Sequence, residues 1–250
     1  MQWFDQKLVK HFSRLIRDQG LHSAAQYVLR QLGIQLISTG TWPPPGPVLL
    51  LGNHPGGLDT FTLMSTIHHS DFYFVAINSY DTFGPHLSQH LLPVYHVNQL
   101  NTWIFEYPRD ILGRVKVQGL SSSQVRTLNQ NTITQAAQLL SSGALVSIFP
   151  MGKYGRSQPG TNWKIGLGHL VKQVTNRRTQ VVFVKIIGGQ SHDFLRFIHP
   201  FWRKIFFRPK KVRVYFSPPQ PLFAQVKKSG SPLVIVHTLE RQYRQFAQYG

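Results

Sequence analysis

Gly52-Asn53-His54-Pro55-Gly56-Gly57-Leu58-Asp59-Thr60-Phe61 is the stretch whose reading decides the fold. Val48-Leu49-Leu50-Leu51 leads into it, an aliphatic run whose length and branching suit a buried strand. Residues 53–57 cannot continue that strand and form a turn. Asp59 and Thr60 then stand where a helix is capped, ahead of Phe61, Leu63, Met64 and Ile67. A strand running into a helix through a Gly-rich turn is where α/β folds keep their chemistry, because the turn lies at the carboxyl edge of the sheet. His54 and Asp59 are five apart across it. At that spacing the carboxylate can bond one imidazole nitrogen, fix the tautomer and stabilise the protonated ring, while the other nitrogen takes a proton. A bare H-x4-D pair arises readily by chance, and a His beside a strand end is often only a hydrogen-bonded structural residue. Of the 12 histidines, however, only His54 has an Asp five residues on. Its place behind a strand, with Asn53, Gly56 and Gly57 alongside, favours chemistry.

The chain has 250 residues, 42% of them hydrophobic, enough to bury one substantial core. The expected fold class is α/β, a mixed, mostly parallel sheet flanked by helices. An N-terminal amphipathic helical segment over residues 1–40 precedes an α/β domain over residues 41–250. There is no cysteine, which excludes disulfides, thiolate metal sites and cysteine nucleophiles together. No G-x-S-x-G elbow occurs, which argues against a Ser hydrolase. No apolar run approaches the ~18 residues that a membrane-spanning helix requires. Charges interrupt the first residues every three or four positions, so a signal peptide's apolar core is not expected there. The loudest compositional fact is charge: 27 Lys and Arg against 9 acids, a formal net +18. Such a surface seeks polyanions, meaning nucleic acid, anionic lipid headgroups or phosphorylated substrates.

Trp3, Phe4, Leu8, Phe12, Leu15 and Ile16 recur at helical spacing, with Lys7, Lys10, Arg14 and Arg17 between them. Such a basic amphipathic helix lies in a bilayer interface or packs on the domain as an ordinary surface helix. A second helix is expected over 22–32, ending at Gly33, and Trp42 to Pro47 makes a stiff lead-in to the first core strand. Then come a helix to about His68, a strand over 72–77, a turn with a short helix over 81–92, and a brief segment over 92–96. Residues 97–125 read as a long loop and 125–140 as a helix. The apolar strand from Ala144 to Phe149 delivers a second turn, Pro150-Met-Gly-Lys-Tyr-Gly-Arg-Ser157. Its glycines, with Lys153 and Arg156, suit an anion-binding turn or a plain solvated loop; it is not a P-loop. A helix over 163–174, strands over 180–187 and 212–216, and a helix over 232–248 continue the rhythm. Phe194 to Phe216 interleaves Phe197, Phe201, Trp202, Phe206 and Phe207 with Arg203, Lys204, Arg208, Lys210, Lys211 and Arg213. Aromatics among cations suit a membrane interface and also single-stranded nucleic acid. The amphipathic start and the lack of any nucleic-acid motif favour lipid.

At these residues the chain resembles the glycerophospholipid acyltransferases, typified by lysophosphatidic acid acyltransferase. The first block of that family, N-H-x4-D, is similar to Asn53-His54-x4-Asp59, and its third block, F-P-E-G, to Phe149-Pro150-Met151-Gly152. Its V-P-V strand resembles Val181-Val182-Phe183-Val184, and its late strand resembles Val212 to Pro218. The chain departs twice: His96 stands where the second block ends in Arg, and Met151 where the third has Glu.

The resemblance implies an acyltransferase in which His54 is general base and Asp59 its partner. Asn53, Gly56, Gly57, His96, Pro150, Gly152, Lys153 and Arg156 would line the substrate site, with backbone N–H groups near Gly56 and Gly57 as oxyanion donors. The donor would be acyl-CoA or acyl-carrier protein, a substrate rather than a cofactor. The acceptor would be a hydroxyl of lysophosphatidate or a related lipid, met at an anionic membrane surface as a peripheral protein of the cytoplasmic face. No metal and no nucleic acid are expected. The alternatives are a non-catalytic membrane-binding relative, which the two departures motivate, and a basic nucleic-acid-binding protein.

Overall fold

β2 (Val48–Gly52) is buried along its whole length because it runs through the middle of the sheet. Its side chains alternate between two cores, Val48 and Leu50 on one face and Leu49 and Leu51 on the other. The computed structural model describes residues 5–95, 120–152, 163–226 and 230–249. Around β2 the strand order is β1-β7-β6-β2-β5-β3-β4. The other strands are β1 (Ile34–Gly40), β3 (Phe72–Ile77), β4 (Leu91–Val94), β5 (Leu145–Ile148), β6 (Gln180–Ile187) and β7 (Lys210–Phe216). A short β8 (Gln220–Pro221) also pairs β6. All pairings are parallel except β6 with β7 and with β8, so the sheet is mixed and mostly parallel as expected.

Helices cover both faces. α1 (Gln6–Gln31) and α2 (Asp59–Thr66) share one core. On the other face lie α3 (Ser122–Ser142), α4 (Gly166–Gln173) and, near the end of the chain, α6 (Pro232–Tyr249). Between β6 and β7, a short 3-10 stretch (Ser191–Phe197) leads into α5 (Pro200–Phe206). α3 is capped by Ser121, whose hydroxyl and Gln124 form a capping box, and it starts at Ser122, three residues before the start expected at Val125. It stops at Gly143, whose φ of 110° suits a left-handed C-cap. Most of the loop expected over 97–125 lies outside the described residues.

Two differences from the sequence reading matter. β1 had no strand signal, since its second half, Ser38-Thr39-Gly40, is exposed; its register comes from pairing residue by residue with β7 at the sheet edge. α1 keeps the division into two helices that the sequence suggested, but not the exposed apolar face. Gly20 holds φ 81° and ψ 166°, which divides it into two arms. Both far ends meet at Arg203, which donates to Asp5 Oδ2 (2.7 Å) at one end and to the Gln31 carbonyl (2.7 Å) at the other. The first arm's apolar stripe, Leu8, Phe12, Leu15 and Ile16, is buried, with Phe12 packed 5.4 Å from Phe61 of α2. The face that the sequence offered to a bilayer is therefore covered by the domain itself, each such side chain contributing about 1.5–3 kcal/mol by leaving water. Trp3 and Phe4 lie outside the described residues.

Candidate active site

The turn between β2 and α2 is fixed from three sides. Asn53 bonds the β6 backbone twice, accepting from Ile186 N–H (2.7 Å) and donating to the Ile186 carbonyl (2.8 Å). Asp59, the first residue of α2, is 1% exposed. Its Oδ2 accepts from Gly56 N–H (2.7 Å) and lies 2.9 Å from His54 Nδ1. That oxygen already serves one N–H donor, so a carboxylate there makes Nδ1 the protonated nitrogen and turns Nε2 away from the pair. The His54 ring lies flat on Phe149 from the end of β5, with centroids 4.3 Å apart and planes 7° apart. On the third side the segment after β6, Gly188 to Asp193, packs over the two glycines, and Gly57 N–H donates to the Gln190 carbonyl (3.2 Å). A Cβ on Gly56 would sit 2.5 Å from Gln190 N, and one on Gly57 would sit 3.0 Å from the Ser191 carbonyl oxygen. Asp193 holds that segment: it accepts from Gln190 N–H (2.7 Å) and from Arg196 (3.2 Å), and pairs with Lys210.

Burial pushes the Asp59 carboxyl above its ordinary value. Its bonds to His54 and Gly56 pull the other way, and the nearby Asp193 charge adds to the rise. Asp59 also stands at the N-terminus of α2, where the helix dipole favours the anion. The carboxylate is costly to keep there, which is the condition for a strong interaction with a charged ring.

His54 opens into a cavity of about 410 Å³ on the face covered by α3 and α4. Val75, Ile77, Ile133, Ile148, Leu167 and Leu170 make its lining mainly apolar, with Asn129, Thr132 and Lys164 among its polar members. Asn129 fixes the chain just after β4, accepting from Tyr95 N–H (2.8 Å) and donating to the Tyr95 carbonyl (3.0 Å). Thr132 donates to the Pro93 carbonyl (2.6 Å). Pro150 and Gly152 line the same cavity, whereas the Met151 side chain packs on the core behind it.

Residues 34–187, more than half of the chain, match the family model described as acyltransferase. The chain belongs to the acyltransferase family. The matched span holds the whole His54 turn, both walls of the cavity and Phe149. Among solved structures, a similar one is the 1-acyl-sn-glycerophosphate (LPA) acyltransferase PlsC from Thermotoga maritima. It is 14% identical with a TM-score of 0.45, over 96% of this chain and 88% of that one. No curated protein matches the chain.

Of the residues expected in this acyltransferase's site, the structure brings together His54, Asp59, Asn53, Gly56, Gly57, Pro150 and Gly152. His96, Lys153 and Arg156 lie outside the described residues. The expected role of Gly56 and Gly57 as oxyanion donors does not fit the geometry, because both N–H groups are already bonded, to Asp59 and to Gln190. What they supply is the absence of a side chain, which lets residues 188–193 close on the turn. Reading the sequence missed Phe149 as a ring platform, Asn129, Thr132 and Lys164 in the cavity wall, and Asp193. The Gly188-Gly189 pair after β6 was the available signal for the last, as a mark of close backbone approach.

Proposed function

We propose that this acyltransferase moves a fatty acyl group from acyl-CoA or acyl-carrier protein to a hydroxyl of a lysophosphatidate-like lipid at an anionic membrane surface. The observation that carries the reading is the pair of half-buried His54 and buried Asp59 opening into a mainly apolar cavity of about 410 Å³. A pocket of that size falls in the range used for small-molecule ligands, about 300–1,000 Å³, and its lining suits an acyl chain.

In this mechanism His54 Nε2 takes the acceptor's hydroxyl proton as the oxygen attacks the thioester carbonyl. The new C–O bond forms, the tetrahedral intermediate collapses with loss of the C–S bond, and the ring returns the proton to the departing sulfur. Asp59 keeps the proton on Nδ1 and stabilises the imidazolium between those steps. Asn53 and the Gly188–Asp193 segment hold the turn rigid, and Phe149 fixes the plane of the ring. Lys164, in the cavity wall, supplies a cation for a phosphate of acceptor or donor, together with Lys153 and Arg156, while His96 contributes to the acceptor site. The acyl carrier is a substrate, so the reaction as written needs no cofactor.

Among the described residues no helix is long and apolar enough to cross a membrane. Peripheral attachment at the cytoplasmic face, where thioester donors are made, is the corresponding proposal.

The test is thiol release from long-chain acyl-CoA and acyl-carrier protein on anionic vesicles. The acceptor panel holds glycerol-3-phosphate, lysophosphatidate, other lysophospholipids and hydroxy-lipids without phosphate. Acceptor-dependent release by wild type that vanishes in His54→Ala, with fold retained, supports the reading and names the acceptor. Equal release by both proteins, or silence across the panel from folded wild type, overturns it.

A further inference from the structure

The sequence holds two segments that interleave aromatics with cations, and the fold uses them differently. The apolar stripe of α1 is spent on the core. Within Phe194 to Phe216, Phe197 is fully buried and Phe194 partly so, yet α5 leaves Phe201 60%, Ile205 57% and Phe206 63% exposed. Three large apolar side chains exposed within one seven-residue helix form a patch rather than scattered surface residues. The patch is pre-formed: Phe201 and Ile205 are one turn apart, and the Phe206 ring stacks on Trp202 at 5.8 Å. Beneath it Arg203, 8% exposed, donates to Asp5, Gln31 and the Ile198 carbonyl, so α5 cannot roll its apolar side inward without unpairing a buried cation.

Charge decides what covers the patch. Lys204, Arg208, Lys211 and Arg213 around it are exposed, and no acidic residue occurs between Asp193 and Glu240. An apolar tip ringed by uncompensated cations is complementary to an anionic lipid interface, which accepts rings at headgroup depth and cations among the phosphates. Single-stranded nucleic acid fits less well, since Ile205 offers a base no ring to stack on. Position adds to this. β7 runs antiparallel to β6, so α5, just before β7, sits at the carboxyl edge of β6 and β2, the edge that carries His54. The segment that clamps Gly56 and Gly57 runs on through Ser191–Phe197 into α5.

We infer that α5 is the element that enters the anionic bilayer, Phe201, Ile205 and Phe206 first, and so sets the His54 turn at the surface from which lipid acceptors arrive. The assignment rests on the proposed lipid acceptor, and its test separates the two.

Because the chain has no cysteine, Phe206→Cys and, as control, Ser142→Cys at the end of α3 each take a single environment-sensitive NBD label. The labelled full chain is mixed with vesicles of phosphatidylcholine and phosphatidylglycerol. The label at 206 is expected to shift to the blue and brighten severalfold, with quenching by nitroxide lipids near the headgroups, while the label at 142 stays unchanged. The triple variant Phe201→Ser, Ile205→Ser, Phe206→Ser is expected to unfold at the wild-type temperature and float with vesicles at least tenfold less. It should keep its turnover on detergent-dispersed acceptor. Binding of vesicles with the 206 label unshifted overturns the assignment. So does absence of vesicle binding, or a response at 206 to single-stranded DNA but not to vesicles. Insertion at 206 without His54-dependent turnover upholds α5 and overturns acyl transfer.

Discussion

Replacing Asp59 with Asn isolates what the buried charge does for His54. Asp59 Oδ2 accepts from Gly56 N–H at 2.7 Å in a buried position, so an amide must present its oxygen there, since its NH2 would oppose that donor. The same oxygen continues to accept from His54 Nδ1, so the tautomer is kept and only the charge is lost. A carboxylate and an imidazolium with centres about 4 Å apart interact by about 4 kcal/mol at an effective dielectric near 20. At 1.36 kcal/mol per decade that is a rate loss of roughly a thousandfold, less than the ~10⁴-fold that follows when such a swap reverses the tautomer. The assay is kcat/KM for acceptor-dependent thiol release, beside urea unfolding across pH. Stability should move the other way. Burial raises the Asp59 carboxyl above 3.8, so from there up to its folded value the folded protein keeps a proton that the unfolded chain has released. Stability therefore declines as pH rises through that window, and the variant loses that slope. A loss of less than tenfold in kcat/KM, or an activity loss explained by unfolding, refutes Asp59 as the group that stabilises the charged ring.

Three further outcomes follow from the geometry. Gly56→Ala puts a Cβ 2.5 Å from Gln190 N and 2.7 Å from its carbonyl oxygen, both backbone atoms; overpacking there should cost about 1–3 kcal/mol in urea unfolding and most of the turnover, whereas wild-type activity would show that the clamp is dispensable. Arg203→Ala strands the Asp5 carboxylate and two carbonyls, and should lower stability by about 3–5 kcal/mol, read by denaturant unfolding with hydrogen exchange lost first at the ends of α1. Ala136→Leu adds bulk to a fully buried position in the cavity wall. The preferred acyl donor should become shorter, with about fourfold discrimination per excluded methylene at ~0.8 kcal/mol each, read from kcat/KM across a chain-length series.

What was legible in the sequence is what is local. The β2 run, the turn and the start of α2 are contiguous, and the His54–Asp59 bond spans five residues, so spacing alone located the pair. β6 was equally readable, since a strand in the middle of a sheet needs an apolar run such as Val181 to Val184. The supports of the site are not local. Asn53 is held by Ile186, 133 residues on, and the glycines of the turn are shaped by a backbone that arrives after β6. No periodicity reports such contacts. The glycines show the consequence: a reading confined to the turn made their N–H groups substrate donors, and the distant segment turns out to claim one of them and to explain both missing side chains.

The two basic amphipathic segments show a different limit. Leu8, Phe12, Leu15 and Ile16 at helical spacing say that one face of α1 must leave water, and nothing in that pattern says into what. The answer lies in α2, where Phe61, Leu63 and Met64 need covering on the face of the sheet that α1 reaches. α5 has the opposite arrangement. Its inward residue is Arg203, already committed to three partners, and its outward residues are Phe201, Ile205 and Phe206. A helix with the cation beneath and the rings outside is inverted for a surface in water, and the inversion costs least where the outside is not water. Composition ranks the two segments alike; the direction in which each spends its apolar side chains separates the one that builds the domain from the one proposed to bring it to a lipid surface.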